Sequence, residues 1–318
     1  MNQLYREALA LIEQYDIIIL HRHKMPDGDA IGSQLGLRNL LKHNYPKKQI
    51  YMVGDASERF SFLPDSAPET VPDELFPRAL CIILDSGAQT LVADTRWNLA
   101  AATLRFDHHI FQEKIAQLEI IDDSFESACG LLTDFALNIG LALSPESALP
   151  LYMGMVTDSG RFRYDSTTPR THRLAAELLS CHLDTDSLFT QLYATSLEDV
   201  QRRAQFALRI QFTPGGIAYL YNSAQEISRL NMELFDVSRG MVGVMGDLKG
   251  VEIWANFTEA PQGILAELRS RRIPVRPVAA KYGGGGHAKA CGATLKSRED
   301  AEAMLKDLDI LLGEAQDE

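Results

Sequence analysis

The sequence holds no apolar run near the roughly 20 residues that cross a bilayer, which excludes a helical membrane span as its organising feature. The first stretch, MNQLYREALALIEQYD, carries charges inside its apolar pattern, so it reads as an amphipathic helix and not as a secretory signal. A cytoplasmic location with no membrane partner is the expectation. Cysteine is scarce: Cys81, Cys129, Cys181 and Cys291 lie far apart, with no CxxC pair. That spacing argues against a zinc cluster or a disulfide framework and leaves small buried thiols as the plain reading. Positive charge is short as well, with 31 Lys and Arg against 43 Asp and Glu and a net charge of -12. An acidic surface disfavours long duplex nucleic acid as a partner, but not small anions held in a local basic pocket. No repeat of solenoid period is visible, and the glycine run 283–286 is the one low-complexity segment.

What is present describes a globular α/β chain. At 318 residues it is long for one core, so two domains are expected. Hydrophobic residues at 46% and charged residues at 23% are ordinary for a chain that folds around a core. After the first helix comes the strand-like YDIIIL, then AIGSQLGLRNLLKH with apolar residues three and four apart, then short apolar runs at QIYMVG, ALCIILD and TLRFD. This alternation predicts a mainly parallel sheet flanked by helices. PESALPLYMGMVTDSG predicts a helix ending near Asp158, and TPRTHRLAAELLS another with Pro169 in its first turn. LEDVQRRAQFALRIQF reads as a charged amphipathic helix in a connecting region. Beyond it, GGIAYLYNS, VEIWANFTE and AKACGATL are strand-like, with another helical stretch after VEIWANFTE. SREDAEAMLKDLDILLGEA is a final helix with Ser297 as N-cap. The expected division is a catalytic domain at 1–185, a linker at 186–212 and a smaller α/β domain at 213–318.

Four apolar segments of the first half end in acids. IIIL leads into HRHKMPDGDAIGS, with His23, Asp27 and Asp29; ALCIIL into Asp85; TLRF into Asp107-His108-His109; LPLYMGMVT into Asp158. In parallel α/β sheets, ligands bind beyond the carboxyl ends of the strands, where such groups would converge. Crowded carboxylates repel one another and are costly to desolvate. Divalent cations relieve both, and His and Asp with room for water suit Mn²⁺ or a similar metal. Two metals about 3.5–4 Å apart need a shared carboxylate and can activate a water between them. Asp85, in the sheet interior, is a reasonable bridge. Each segment also has a plainer reading. Pro-Asp-Gly is turn chemistry, Asp29 could cap the next helix, and a His pair or an Asp-Ser-Gly often sits in an ordinary loop. The four together favour a site. His43, His172 and His182 sit on or beside helices and read as structural, and His21 as a core or supporting residue.

HKMPDGDAIGS, ILDSG, FDHH and TDSGRF, in this order, resemble the four motifs of the DHH phosphoesterases, and GGGGHAKACGA at 283–293 resembles the motif of the small DHH-associated C-terminal domain. Length and domain order are most similar to the subfamily of bifunctional oligoribonucleases and pAp phosphatases. The resemblance implies two Mn²⁺ ions in a cleft between two domains. His23 and Asp27 would hold one, Asp29, His108 and Asp158 the other, and Asp85 would bridge. His109 would lie near the transferring phosphate as acid or charge stabiliser, with Asp107 orienting a histidine. Ser159 and Ser127-Ala128-Cys129 differ from the subfamily pattern, and neither removes a ligand.

In the second domain, Gly283-Gly284-Gly285-Gly286-His287 would expose backbone N–H groups able to cradle phosphate oxygens. From Gly263 to Cys291 the basic residues are Arg269, Arg271, Arg272, Arg276, Lys281 and Lys289, and Glu267 is the only acid. By resemblance Arg269-Ser270 is a substrate-contacting pair, and Arg269 and His287 are the expected phosphate contacts. The implied activity is that of a manganese-dependent phosphoesterase of the 3′–5′ oligoribonuclease and 3′,5′-bisphosphate nucleotidase type. Its substrates would be short RNA oligonucleotides, pApA and pAp. An inorganic pyrophosphatase is a rival within enzymes, and a nucleotide-binding regulatory module without turnover a rival outside them. Assembly as a homodimer stays open.

Overall fold

The computed structural model describes residues 3–230 and 232–317 and divides them into two compact units, 1–194 and 195–318. The first unit opens with α1 (Gln3–Gln14), which buries Tyr5, Ala8 and Ile12 at helical spacing. Then follow β1 (Ile17–His21), α2 (Gly28–Asn44), β2 (Gln49–Met52), β3 (Leu80–Leu84), β4 (Ala102–Asp107) and β5 (Leu118–Ile121). Four helices close the unit: α3 (Ala128–Ile139), α4 (Pro145–Asp158), α5 (Pro169–Leu179) and α6 (Thr185–Tyr193). The five strands form one sheet in the order β2-β1-β3-β4-β5, every pair parallel. Both faces are covered, so the strands are continuous apolar runs. Leu80, Ile82 and Leu84 of β3 enter the main core, while Cys81 packs on the other face with Ile19, Val53 and Phe76. β1, β3 and β4 are neighbours, and their carboxyl ends therefore open at one place.

The second unit comprises α7 (Leu197–Ala207), β6 (Gln211–Phe212), β7 (Ala218–Asn222), α8 (Ala224–Leu230), β8 (Ile253–Ala260), β9 (Gly263–Ser270), α9 (Arg276–Lys281), β10 (Gly285–His287), β11 (Ala290–Leu295) and α10 (Arg298–Asp317). Its sheet runs β10-β11-β9-β8-β7-β6, antiparallel except between β7 and β8. Ile264, Ala266, Leu268 and Cys291 face a core completed by Ala301, Met304 and Leu308 of α10. The next element after VEIWANFTE is not helical: GILAELRS is a strand paired along its length with β8, and the helix comes later, as α9. The alternation Ile264, Ala266, Leu268 on one face carries that strand. No described helix is long and apolar enough to cross a membrane.

Candidate active site

The chain leaves β1 still hydrogen-bonded. Ala93 N–H donates to the Arg22 carbonyl (3.0 Å) and Lys24 N–H to the Leu91 carbonyl (2.7 Å), which fixes His23 between them. His23 Nδ1 lies 2.8 Å from the Lys24 carbonyl, so Nε2 is the atom turned to the carboxylates. Asp27, not Asp29, caps α2: its Oδ1 accepts from Asp29 N–H (3.0 Å) and Ala30 N–H (3.1 Å). Asp29 lies in the first turn of α2, buried, and accepts from Ala128 N–H (2.7 Å) and Cys129 N–H (2.9 Å) at the start of α3. Ser127 caps that helix by accepting from Gly130 N–H. Asp85 follows β3 with φ +49°, a left-handed conformation that a non-glycine residue holds only where its surroundings enforce it. Asp107 ends β4, with His108 and His109 directly after it. Asp158 is the exception to the strand-end pattern, for it closes the helix α4.

Asp29 and Asp158 meet because α2 and α4 approach with almost no side chain between them. Gly28, Gly32 and Gly36 recur every fourth residue of α2. A methyl group on Gly32 would sit 2.4 Å from the Pro150 carbonyl, on Gly36 2.6 Å from Leu151 Cγ, and on Gly28 2.3 Å from Thr157 Oγ1. Gly154 of α4 completes the seam, where a methyl group would come within 2.9 Å of Asp29 Oδ1.

The carboxylates and imidazoles then fall into sets. His23 Nε2 is 3.7 Å from Asp27 Oδ1 and 3.5 Å from Asp85 Oδ2. His108 Nε2 is 3.5 Å from Asp85 Oδ1, 3.4 Å from Asp158 Oδ2 and 3.7 Å from Asp29 Oδ2. Donor atoms of His23, Asp27 and Asp85 lie within 4.8 Å of one another, as do those of Asp29, His108 and Asp158, and those of Asp85, His108 and His109. Asp85 is buried, and among the described residues its Oδ1 has no hydrogen-bond partner. Crowding shows in the acidities. Burial, then the Asp85 charge, pushes Asp29 up to about 7, and burial with Asp29 pushes Asp158 up to about 8. Burial opposes charge on His23 and His108, yet the surrounding carboxylates raise both to about 11. Asp85 is also opposed by burial, but His108 and His23 hold it well below the usual carboxylate range. A buried carboxylate oxygen with no donor, among imidazoles and mutually repelling acids without a thiolate, fits hard or intermediate divalent cations.

His109 is gripped from one side. Its Nδ1 is 2.7 Å from Asp107 Oδ1, which raises its pKa, and 3.6 Å from Asp85 Oδ1. Asp107 is fully buried and ion-paired to Arg105. His21 is fully buried beside Cys81 Sγ at 3.3 Å, in the core as its position after Leu20 suggests.

In the second unit, Arg269 of β9 lies in register with Ala290, and Ala290 with His287 of the edge strand β10, so the three share a row. Arg269 Nη1 is 3.2 Å from Glu267 Oε2, and His287 is exposed. Ser270 is buried, and its hydroxyl donates to the Ile273 carbonyl, so that side chain is already engaged. The glycine run is no open loop of four N–H groups. Gly283 and Gly284 donate to the Ala280 and Ala279 carbonyls at the end of α9, and Gly285 and Gly286 form the exposed strand β10. A helix end requires partners for its last carbonyls, and these glycines supply them. Arg271 donates to the Val251 and Gly246 carbonyls, and the exposed Arg272 pairs with Glu252, so both already have partners.

A sequence profile described as "DHH family, N-terminal domain" matches residues 17–155, and one described as "DHHA1 domain" matches 233–314. The chain is 32% identical over 311 residues to the bifunctional oligoribonuclease and PAP phosphatase NrnA of Bacillus subtilis, covering 97% of this chain and 98% of that one. The chain belongs to the DHH family of phosphoesterases. A probable bifunctional oligoribonuclease and PAP phosphatase NrnA of Streptococcus mutans is 32% identical over 97% of this chain and 99% of its own. Among solved structures, an exopolyphosphatase-related protein from Bacteroides fragilis superposes with a TM-score of 0.84 at 26% identity, covering 98% of this chain and 97% of that chain. Two features of this DHH chain escaped the sequence reading. The glycine spacing of α2 was a visible signal for close helix packing, and Arg105, a charge inside the apolar run TLRFD, was a visible signal for a buried ion pair.

Proposed function

We propose that this chain hydrolyses short oligoribonucleotides, pApA among them, and pAp to mononucleotides, in the cytoplasm and with two Mn²⁺ ions as resident cofactors. The observation that carries the reading is Asp85, whose Oδ2 faces His23 and whose buried, unpartnered Oδ1 faces His108. Its likeness to relatives named as oligoribonucleases and PAP phosphatases supports the substrate class. His23, Asp27 and Asp85 would hold one cation, and Asp29, His108, Asp158 and Asp85 the other. Bound there, the cations supply Lewis acidity toward phosphoryl oxygens and make water acidic enough to attack at neutral pH. A bond from water oxygen to phosphorus forms as the ester P–O bond breaks. His109, its Nδ1 held by Asp107, delivers a proton from Nε2 to the departing oxygen. Arg269, His287 and the exposed backbone of Gly285 and Gly286 bind the phosphate of the substrate.

The test is chromatographic product analysis of the full chain with Mn²⁺ and, in parallel, pAp, pApA and pyrophosphate. AMP released from both pAp and pApA is the expected result. Phosphate from pyrophosphate alone would make the protein a pyrophosphatase, and tight nucleotide binding with no hydrolysis would make it a regulatory module.

A further inference from the structure

β4 carries an arginine where its neighbours are apolar. Arg105 is fully buried, and a guanidinium in that position is strongly destabilising unless its charge is matched. Three acceptors match it. Nη2 donates to Asp107, and Nη1 donates to Glu119 Oε1 at 3.2 Å and to the Glu113 carbonyl at 3.1 Å. Glu119 stands opposite Arg105 in the β4–β5 register, and its Oε1 also accepts from Ile115 N–H (2.8 Å) and Ala116 N–H (3.1 Å). Asp107 divides its oxygens: Oδ2 takes Arg105, while Oδ1 takes the His109 backbone N–H (3.3 Å) and His109 Nδ1 (2.7 Å).

We propose that Arg105 and Glu119 are positioning residues for His109, acting through Asp107 along the chain Glu119–Arg105–Asp107–His109. A carboxylate can turn about its Cβ–Cγ bond. The guanidinium holds Oδ2, so Oδ1 stays aimed at the ring and Nε2 stays turned outward. Glu119 in turn fixes the guanidinium to β5 and to the loop before it. An ion pair serving stability alone could be replaced by apolar side chains of similar volume. This one ends on the carboxylate that grips the partly exposed imidazole of the DHH triplet. Among the described residues Arg105, Asp107 and Glu119 belong to none of the groups able to hold a cation, but His109 shares one with Asp85 and His108, so Mn²⁺ content is measured beside turnover to separate positioning from metal binding. The inference rests on the reading of His109 as proton donor.

The experiment uses the full chain with Mn²⁺ and two probes, pApA and the methyl phosphodiester of AMP, whose alkoxide leaving groups both need a proton. Arg105→Lys keeps the charge and loses the planar fork. Its kcat should fall about 10–100-fold, the range typical when a supporting hydrogen bond is removed, with KM within about twofold of the parent and Mn²⁺ content unchanged. In the Asp107→Asn background the same substitution should add nothing, because the chain is already broken. Losses that multiply, a fall in Mn²⁺ content, or an unchanged kcat overturn the proposal. If Arg105→Lys shows no cooperative melt, Glu119→Gln takes its place and the same non-additivity with Asp107→Asn decides. A parent silent on pApA and pAp but active on the methyl diester overturns the substrate reading and leaves the positioning chain to be scored on the methyl diester. Silence on every ester overturns both.

Discussion

The two units use glycine in opposite ways. Gly28, Gly32 and Gly36 are spaced along a buried helix, and each faces an atom that a methyl group would strike. Gly283–Gly286 are consecutive, end a helix and become an edge strand, and a methyl group on Gly285 would meet nothing within 4 Å. In the first unit glycine brings two helices together and so fixes the distance between two carboxylates. In the second it leaves backbone uncovered at a sheet edge. The proposed metal ligands thus sit on a close-packed interior, and the proposed recognition surface sits at an exposed sheet edge. The contrast predicts that substitutions in the interior act on turnover and stability, and those at the edge on substrate affinity.

The largest effect is expected at the centre of the interior. Asp85→Ala removes the carboxylate that faces both histidines and should reduce kcat by about 10³-fold or more, the scale of losing a group essential to charge stabilisation. Near-normal steady-state activity would break the metal assignment. Next comes His21, which burial lowers to about 4. The folded state prefers the neutral ring, so its contribution is fully present above the unfolded value near 6.5 and is lost as pH falls toward 4. By pH 5 that loss is about 2 kcal/mol. Denaturant unfolding in EDTA at pH 7.5 and 5 should show the parent losing that much more stability than His21→Phe; equal losses would mean that His21 does not titrate as a buried ring. Gly32→Ala is then expected to cost about 1–3 kcal/mol by overpacking, more than the roughly 1 kcal/mol that alanine gains in helix propensity. The Pro150 carbonyl belongs to backbone and cannot swing aside. A melting temperature at or above the parent's would show the α2–α4 seam to be looser than its distances imply.

Much of this interior was legible in the sequence because acids after apolar runs carry their meaning locally. His23, Asp85 and His108 needed only strand order to bring them together, whereas Asp29 and Asp158 also needed the close approach of α2 and α4. The plainer reading of Asp29 as a cap gives way to Asp27, because the two offer the same side chain two residues apart and only the helix phase decides which meets the free N–H groups. The glycine run misled for a related reason. Four glycines look like an open loop, but whether their N–H groups are free depends on the carbonyls of α9, which composition does not reveal. The α2 glycines were missed because their partners lie on another helix, and Arg105 because, of its acceptors, only Asp107 shares its strand while Glu119 and the Glu113 carbonyl lie beyond it.

At the edge the expected effects are smaller and of another kind. Arg269→Ala should raise KM about tenfold, the scale of one charge-assisted contact, with kcat kept. A collapsed kcat at unchanged KM would move Arg269 from binding into the chemistry.

Gly285→Ala is the gentlest probe and the most discriminating. Space is open around the added methyl group, and Gly285 is not among the residues of positive φ, unlike Gly283 at +73° and Gly286 at +129°. Losing glycine there should stabilise the fold slightly or leave it within about 0.5 kcal/mol, since the unfolded chain loses freedom. A phosphate resting on the bare backbone of β10 would nevertheless be lifted away by the methyl group. A KM for pAp raised a fewfold with an unchanged melting temperature would place the anion against this strand. An unchanged KM would leave Arg269 and His287 as the whole of the contact and reduce the glycine run to ending α9 and shaping the edge.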